Sequence, residues 1–76
     1  MFLEIVTPDK TLFKGEVVSV KFPGTAGKFE TLTNHAPLIS SLEKGTITVH
    51  TATGSENFEI ESGIVEVFQN NIVVLA

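Results

Sequence analysis

Apolar and polar residues alternate with a period of two along most of the chain, and no stretch sustains the spacing of a helix face. The first run, FLEIV at 2–6, ends at the turn pair Pro8 and Asp9. The stretch EVVSVKF, 16–22, sets Val18, Val20 and Phe22 on one face before Pro23 and Gly24 stop it. KFETL, 28–32, and TITVHT, 46–51, alternate again; in the latter Ile47 and Val49 point inward, with Thr46, Thr48 and His50 outward. TATGSEN, 51–57, reads as a polar hairpin loop, and FEIE, 58–61, opposes Phe58 and Ile60 to Glu59 and Glu61 until Ser62 and Gly63 interrupt. IVEVFQNNIVVLA predicts two strands joined through Asn70 and Asn71, because asparagine tolerates the positive φ of tight hairpin turns. Short runs separated by turn residues predict an all-β chain, an antiparallel β-sandwich of two sheets (a flattened barrel) with about eight to ten short strands. With no linker, repeat or low-complexity segment, residues 1–76 read as a single β-sandwich domain.

The closing ribbon departs from simple alternation. Ile64 and Phe68 share one face, Val65 and Val67 the other, and IVVL at 72–75 is apolar on both. Two covered faces are implied: either the strand pair tucks under a loop or into a barrel corner, or its second face meets another subunit. In the second case Val65 and Val67 are the expected outward, partner-facing residues. Glu66 then stands among apolar neighbours and needs a backbone donor or a lysine.

Composition sharpens this picture. A chain of 76 residues removes only about 60% of its unfolded surface from water, so its core is thin. Hydrophobic residues nevertheless make up 42% of it, which leaves apolar area for an outside contact. No cysteine is present, so packing alone must hold the fold. The net charge is −4, with five lysines, no arginine and phenylalanine as the sole aromatic type, which argues against nucleic acid as a partner. The apolar runs fall far short of the roughly 20 residues that span a bilayer, and MFLEIVTPDK lacks a signal-peptide layout. Membrane association, on this reading, comes through a partner rather than by direct insertion.

Candidate chemistry is sparse. PGTAGKF, 23–29, has the glycines and lysine of a phosphate loop, but only Thr25 and Ala26 separate the glycines, Phe29 follows the lysine, and a strand rather than a helix comes next. A glycine-rich β-turn explains it better than a nucleotide cradle. His35 and His50 are the only histidines and lack metal-ligand spacing. Ser40 follows His35 without an orienting acid or oxyanion hole, so no catalytic residue, metal or cofactor is expected. One alternative is a biotinyl or lipoyl type of carrier, or another small binding module, since such carriers are also acidic, all-β and about this long. Lys10 in PDKT imitates their turn lysine, though it lies near the N-terminus rather than midway along the chain.

The ordered series VKFPGTAGKFETLTNHAPLISSLEKGTITV resembles the N-terminal domain of the epsilon subunit of rotary proton-translocating ATP synthases. Pro23, Gly24 and Gly27 fit the family's glycine loop, NHAPLIS (34–40) its histidine-proline-leucine segment, and Gly45 the following turn. LEIVTPDKTLFKGEV and GIVEVFQNNIVVLA match its opening and closing strands, so the likeness covers essentially the whole chain. The resemblance implies a ten-stranded sandwich at the foot of the central stalk. It also implies a non-catalytic rotor subunit that binds the gamma subunit and the c-ring and couples proton flow to ATP synthesis. Its place would be peripheral, on the cytoplasmic face of the energy-coupling membrane. By position in the family, Thr7, His35 and Ser40 match gamma-facing sites, and Gly27 and Lys28 match the ring-facing loop. Glu30 stands where the family usually has glycine, Thr33 where it often has proline, and Lys28 where relatives are often acidic, so a differently shaped and charged ring-facing loop is expected. The family commonly continues into a two-helix hairpin that restrains ATP hydrolysis and in some members binds ATP. The sequence ends at Ala76 before any such segment, so neither property is carried over.

Overall fold

Leu3 and Ile5 are fully buried while Glu4 between them is not, the mark of a strand with one face in a core. The same parity recurs along the computed structural model, which describes residues 1–32 and 36–76. Among the described residues nine strands form: β1 (Phe2–Val6), β2 (Thr11–Glu16), β3 (Ser19–Phe22), β4 (Phe29–Thr31), β5 (Leu38–Leu42), β6 (Gly45–Thr51), β7 (Gly54–Ile60), β8 (Gly63–Phe68) and β9 (Asn71–Leu75). They build a five-stranded sheet ordered β2-β1-β9-β8-β5 and a four-stranded sheet ordered β4-β3-β6-β7. The expected all-β sandwich of two sheets is thus the observed architecture.

One pairing differs from the antiparallel expectation. β1 runs parallel to β9, from Phe2 opposite Asn71 to Val6 opposite Leu75, so the larger sheet is mixed. The direction of β9 is set by its tight hairpin with β8, and the strand slots beside β1 in that sense. Backbone bonds from Phe2 N to Asn70 O and from Ala76 N to Val6 O, 2.9 and 2.8 Å, extend the ladder at both ends.

Side chains from the two inner faces make the core. Leu3, Ile5, Val65, Val67, Ile72 and Val74 come from the larger sheet and meet Val20, Phe22, Ile47, Val49 and Ile60 from the smaller. Phe13 and Phe58 close one side edge to face, their ring centroids 5.9 Å apart. Phe22 packs on Phe29 of the neighbouring strand at 5.4 Å. Thr31, the one fully buried hydroxyl in this region, bonds the Val20 carbonyl.

Several elements differ from the sequence reading. The run 16–22 is not one strand: Val17 N bonds Met1 O and Val18 N bonds His50 O, so the chain crosses from one sheet to the other between them. Val17 is therefore buried and Val18 exposed, rather than Val18 facing the core with Val20 and Phe22. β2 was hidden because Leu12 is the extra residue of a β-bulge, with Ile5 opposite Phe13 and Val6 opposite Thr11. Both Leu12 and Phe13 consequently pack on the core. The polar stretch 51–57 is mostly strand, since β7 begins at Gly54 and pairs back to Thr51. The last hairpin turns at Gln69 and Asn70, whose φ angles are 50° and 62°, one residue earlier than expected.

Val65 and Val67 require a correction. They are 0% and 2% exposed and pair with Val74 and Ile72 inside the sandwich, so they cannot be outward contacts. The opposite parity of β8, Ile64, Glu66 and Phe68, faces outward.

Candidate functional site

The outer face of the five-stranded sheet is built from alternate residues of its strands, and the register gives their neighbours. One row across the sheet runs Ser41, Ile64, Leu75, Val6 and Thr11; the next runs Ile39, Glu66, Val73, Glu4 and Lys14. Phe68, Asn71, Phe2 and Glu16 follow in a third. Among the described residues seven large hydrophobic side chains stay exposed, and five of them, Ile39, Ile64, Phe68, Val73 and Leu75, lie on this face. Ile39 is 72% exposed and Leu75 59%. Contiguous apolar area of this kind marks a contact surface.

The other outer face is of a different character. Lys21, Thr46, Thr48, His50, Asn57 and Glu59 point outward from β3, β6 and β7, which suits permanent contact with water. The molecule therefore has one wet side and one apolar side. His50, opposite Ser55 on this side, is half-buried. Among the described residues no group of three or more His, Cys, Asp or Glu side chains is placed to hold a metal ion.

The glycine loop, residues 23–28, joins β3 to β4 and is fastened to β5. Thr25 N bonds Ser41 O at 3.1 Å, Glu43 N bonds Pro23 O at 2.8 Å, and the Thr25 and Ser41 hydroxyls meet at 2.6 Å. Gly24 pairs with Leu42 as an isolated bridge. A Cβ on Gly24 would lie 2.6 Å from the Gly27 carbonyl oxygen, so only glycine fits there. Gly27 N turns back to Gly24 O at 3.0 Å, and its φ of 130° also suits glycine. With that amide used internally and β4 following, the loop lacks the helix N-terminus of a phosphate cradle. Gly27 and Lys28 remain exposed at its tip. Lys21, Lys28 and Lys44 border an open cleft beside it, floored by Phe22, Pro23 and Phe29.

The other expected contact residues divide. Thr7 is half-buried; its hydroxyl bonds Lys10 O at 3.0 Å and accepts from Lys10 N at 3.1 Å, closing the turn after β1. It borders a shallow groove with Val6 and Leu75, at one end of the apolar face. Ser40 stands opposite Val65, on the inner parity of edge strand β5, and donates to the Ser41 carbonyl at 3.1 Å. Thr7 thus adjoins the apolar face and Ser40 does not share it. His35 lies outside the described residues. Sequence reasoning missed Ile39, Ile64, Phe68 and Leu75 as the exposed apolar set; Glu66, which can only point outward, was the signal for the parity of Ile64 and Phe68.

These features define a small β-sandwich with one broad apolar outer face. The chain belongs to the family described as ATP synthase, Delta/Epsilon chain, beta-sandwich domain, which it matches over residues 1–76. It is 43% identical over 74 residues to the ATP synthase epsilon chain of Chlorobium limicola, covering 96% of this chain and 84% of that one. Identity to the Caulobacter vibrioides epsilon chain is 36% over 76 residues, covering 100% of this chain and 88% of the relative. Against the epsilon chain of Leptospira borgpetersenii it is 37% over 73 residues, but only 58% of that longer relative is spanned. The fold also superposes on a chain of the Euglena gracilis mitochondrial ATP synthase, from an OSCP/F1/c-ring structure, with TM-score 0.89 and 19% identity, covering 97% of this chain and 48% of that one. A chain of the Tetrahymena thermophila mitochondrial ATP synthase central stalk and c-ring gives TM-score 0.84 at 15% identity, covering 99% of this chain and 61% of that one. These two likenesses concern the fold.

Proposed function

We propose that the chain is a non-catalytic central-stalk subunit of a proton-translocating ATP synthase, which binds the gamma subunit and the c-ring and so couples proton flow to ATP synthesis. Residues 1–76 act in it as one sandwich domain. Family membership and the relatives named epsilon chain support the assignment. The observation that carries the docking role is the apolar outer face of the five-stranded sheet, which a solitary small protein would have no reason to keep exposed. Gamma is assigned to that face, with Ile39, Ile64, Phe68 and Leu75 as its contacts and Thr7 at its margin. Ile64 and Phe68 take the place that the sequence pattern suggested for Val65 and Val67, while His35 and Ser40 keep only their family-based assignment to gamma. Gly27 and Lys28 are assigned to the c-ring, because they crown the loop that matches the family's ring-facing segment.

Among the described residues no helix is long and apolar enough to cross a membrane. The protein reaches the membrane through the assembly, on the cytoplasmic face of the energy-coupling bilayer. The docking role is tested by capture of purified gamma subunit on the immobilised chain. Wild type is expected to retain gamma, and Ile39→Asp or Phe68→Asp to lose it while keeping the wild-type melting temperature, since both side chains already face water. Retention of gamma by both variants would place the contact elsewhere.

A further inference from the structure

Glu66 is the one carboxylate ringed by the apolar set. Its cross-strand neighbours are Ile39 on β5 and Val73 on β9, and its same-face neighbours along β8 are Ile64 and Phe68. Cross-strand side chains start about 5 Å apart and same-face neighbours along a strand about 7 Å apart, so all four border the space around the carboxylate. Among the described residues no ion pair or hydrogen bond engages it. Glu4, in the same row two strands away, differs: Lys14 stands directly opposite it on β2, and it is already half-buried. A shallow depression beside Glu66 is bordered by Pro37, Ile39 and Phe68.

A partner that covers Ile39, Ile64, Phe68 and Val73 must also cover Glu66. Withdrawing an ionised carboxylate from water is strongly unfavourable unless an opposite charge or strong donors meet it. Glutamate at the centre of such a patch would therefore weaken binding to a purely apolar partner, and it favours a partner that supplies a cation there.

We infer that the gamma surface seated on this face is apolar around a single basic side chain, which enters the depression between Ile39 and Phe68 and pairs with Glu66. The inference rests on the assignment of gamma to this face. The depression suits such a side chain, since its methylene stem packs on Ile39 and Phe68 while its head reaches the carboxylate. Arginine gains most, because its fork matches a carboxylate with two parallel bonds. The pair also selects orientation, as a rotated or shifted partner leaves both charges covered and unmatched.

The test is titration of gamma against wild type, Glu66→Gln, Glu4→Gln and Ile39→Asp at several salt concentrations, with melting temperatures confirming that each variant is folded. Glu66→Gln is expected to raise Kd at least about tenfold and to flatten its dependence on salt, because a covered cation loses its counter-charge. Glu4→Gln, two strands away from Glu66 and in register with Lys14, is expected to change Kd less than about threefold. If Glu66→Gln binds as tightly as wild type with the same salt dependence while Ile39→Asp abolishes binding, the face is the interface but the cation is absent, and the inference is overturned alone. If Ile39→Asp also binds normally, the assignment of gamma to this face falls, and the inference with it.

Discussion

Ile64 and Val65 are adjacent and similarly apolar, yet opposite consequences follow from changing them. Val65 is 0% exposed between Ser40 and Val74, and an aspartate there would be an unpaired charge in the core. Val65→Asp is expected to lower stability by about 4 kcal/mol or more, enough to unfold a domain this small, as urea titration would report. Ile64→Asp should unfold within about 0.5 kcal/mol of wild type, because surface substitutions away from special features change little. The sequence IVEVF offered two parities with equal apolar content, which is why hydrophobicity alone pointed Val65 and Val67 the wrong way. The deciding residue was Glu66: had Val65 and Val67 faced out, its carboxylate would have faced the core with no cation beside it. Ile72 and Val74 on the next strand repeat the inner parity, and Asn71 shares the outer one with Val73 and Leu75.

At the scale of elements, legibility followed the wetness of each strand. β6 and the end of β7 alternate cleanly because one face is packed and the other solvated, and their inward residues Ile47, Val49, Phe58 and Ile60 emerged with the correct facing. β2 and β5 did not. A bulge places Leu12 and Phe13 both against the core, and edge strand β5 carries serines on both parities. The parallel β1–β9 pairing left no local trace, since partners so far apart in the chain are joined by no turn. The hairpin between β8 and β9 offers a test of backbone fit. Gln69 holds φ of 50°, a region that asparagine occupies more readily and β-branched residues resist. Gln69→Asn is expected to stabilise by about 0.5 kcal/mol and Gln69→Val to destabilise by about 1 kcal/mol, which thermal melts would resolve as shifts of a few degrees in opposite directions. Gly24→Ala, forcing a Cβ against the Gly27 carbonyl, is expected to cost about 1–3 kcal/mol.

On the scale of the whole molecule, strand β5 connects the two proposed contacts. Ile39 stands on the apolar face, and two residues on Ser41 holds the glycine loop through its backbone and its hydroxyl, beside the bridge of Gly24 with Leu42. A displacement imposed at the loop tip, Gly27 and Lys28, is thus delivered to the edge of the five-stranded sheet over a few bonded residues, in a body whose longest extent is 26 Å. Stiffness of that junction, rather than any chemical group, is what transmission of torque asks of this subunit. Thr25→Val keeps the β-branched shape and deletes the exposed hydroxyl bond to Ser41. It should cost only about 0.5–1.5 kcal/mol of local stability and leave the opposite side of the molecule unchanged. Exchange of the Thr25 amide, which bonds Ser41 O, is expected to quicken by up to about tenfold, as a local opening of that size permits, while amides of β1 and β9 keep their rates. Gamma capture should be unaffected, whereas ATP synthesis driven by a proton gradient in the reconstituted assembly should fall, because the ring contact has loosened against the rest of the sandwich. Unaltered amide exchange together with full coupling would mean that the loop is held by its backbone bonds alone and that the Thr25 hydroxyl contributes nothing to the rigidity of the junction.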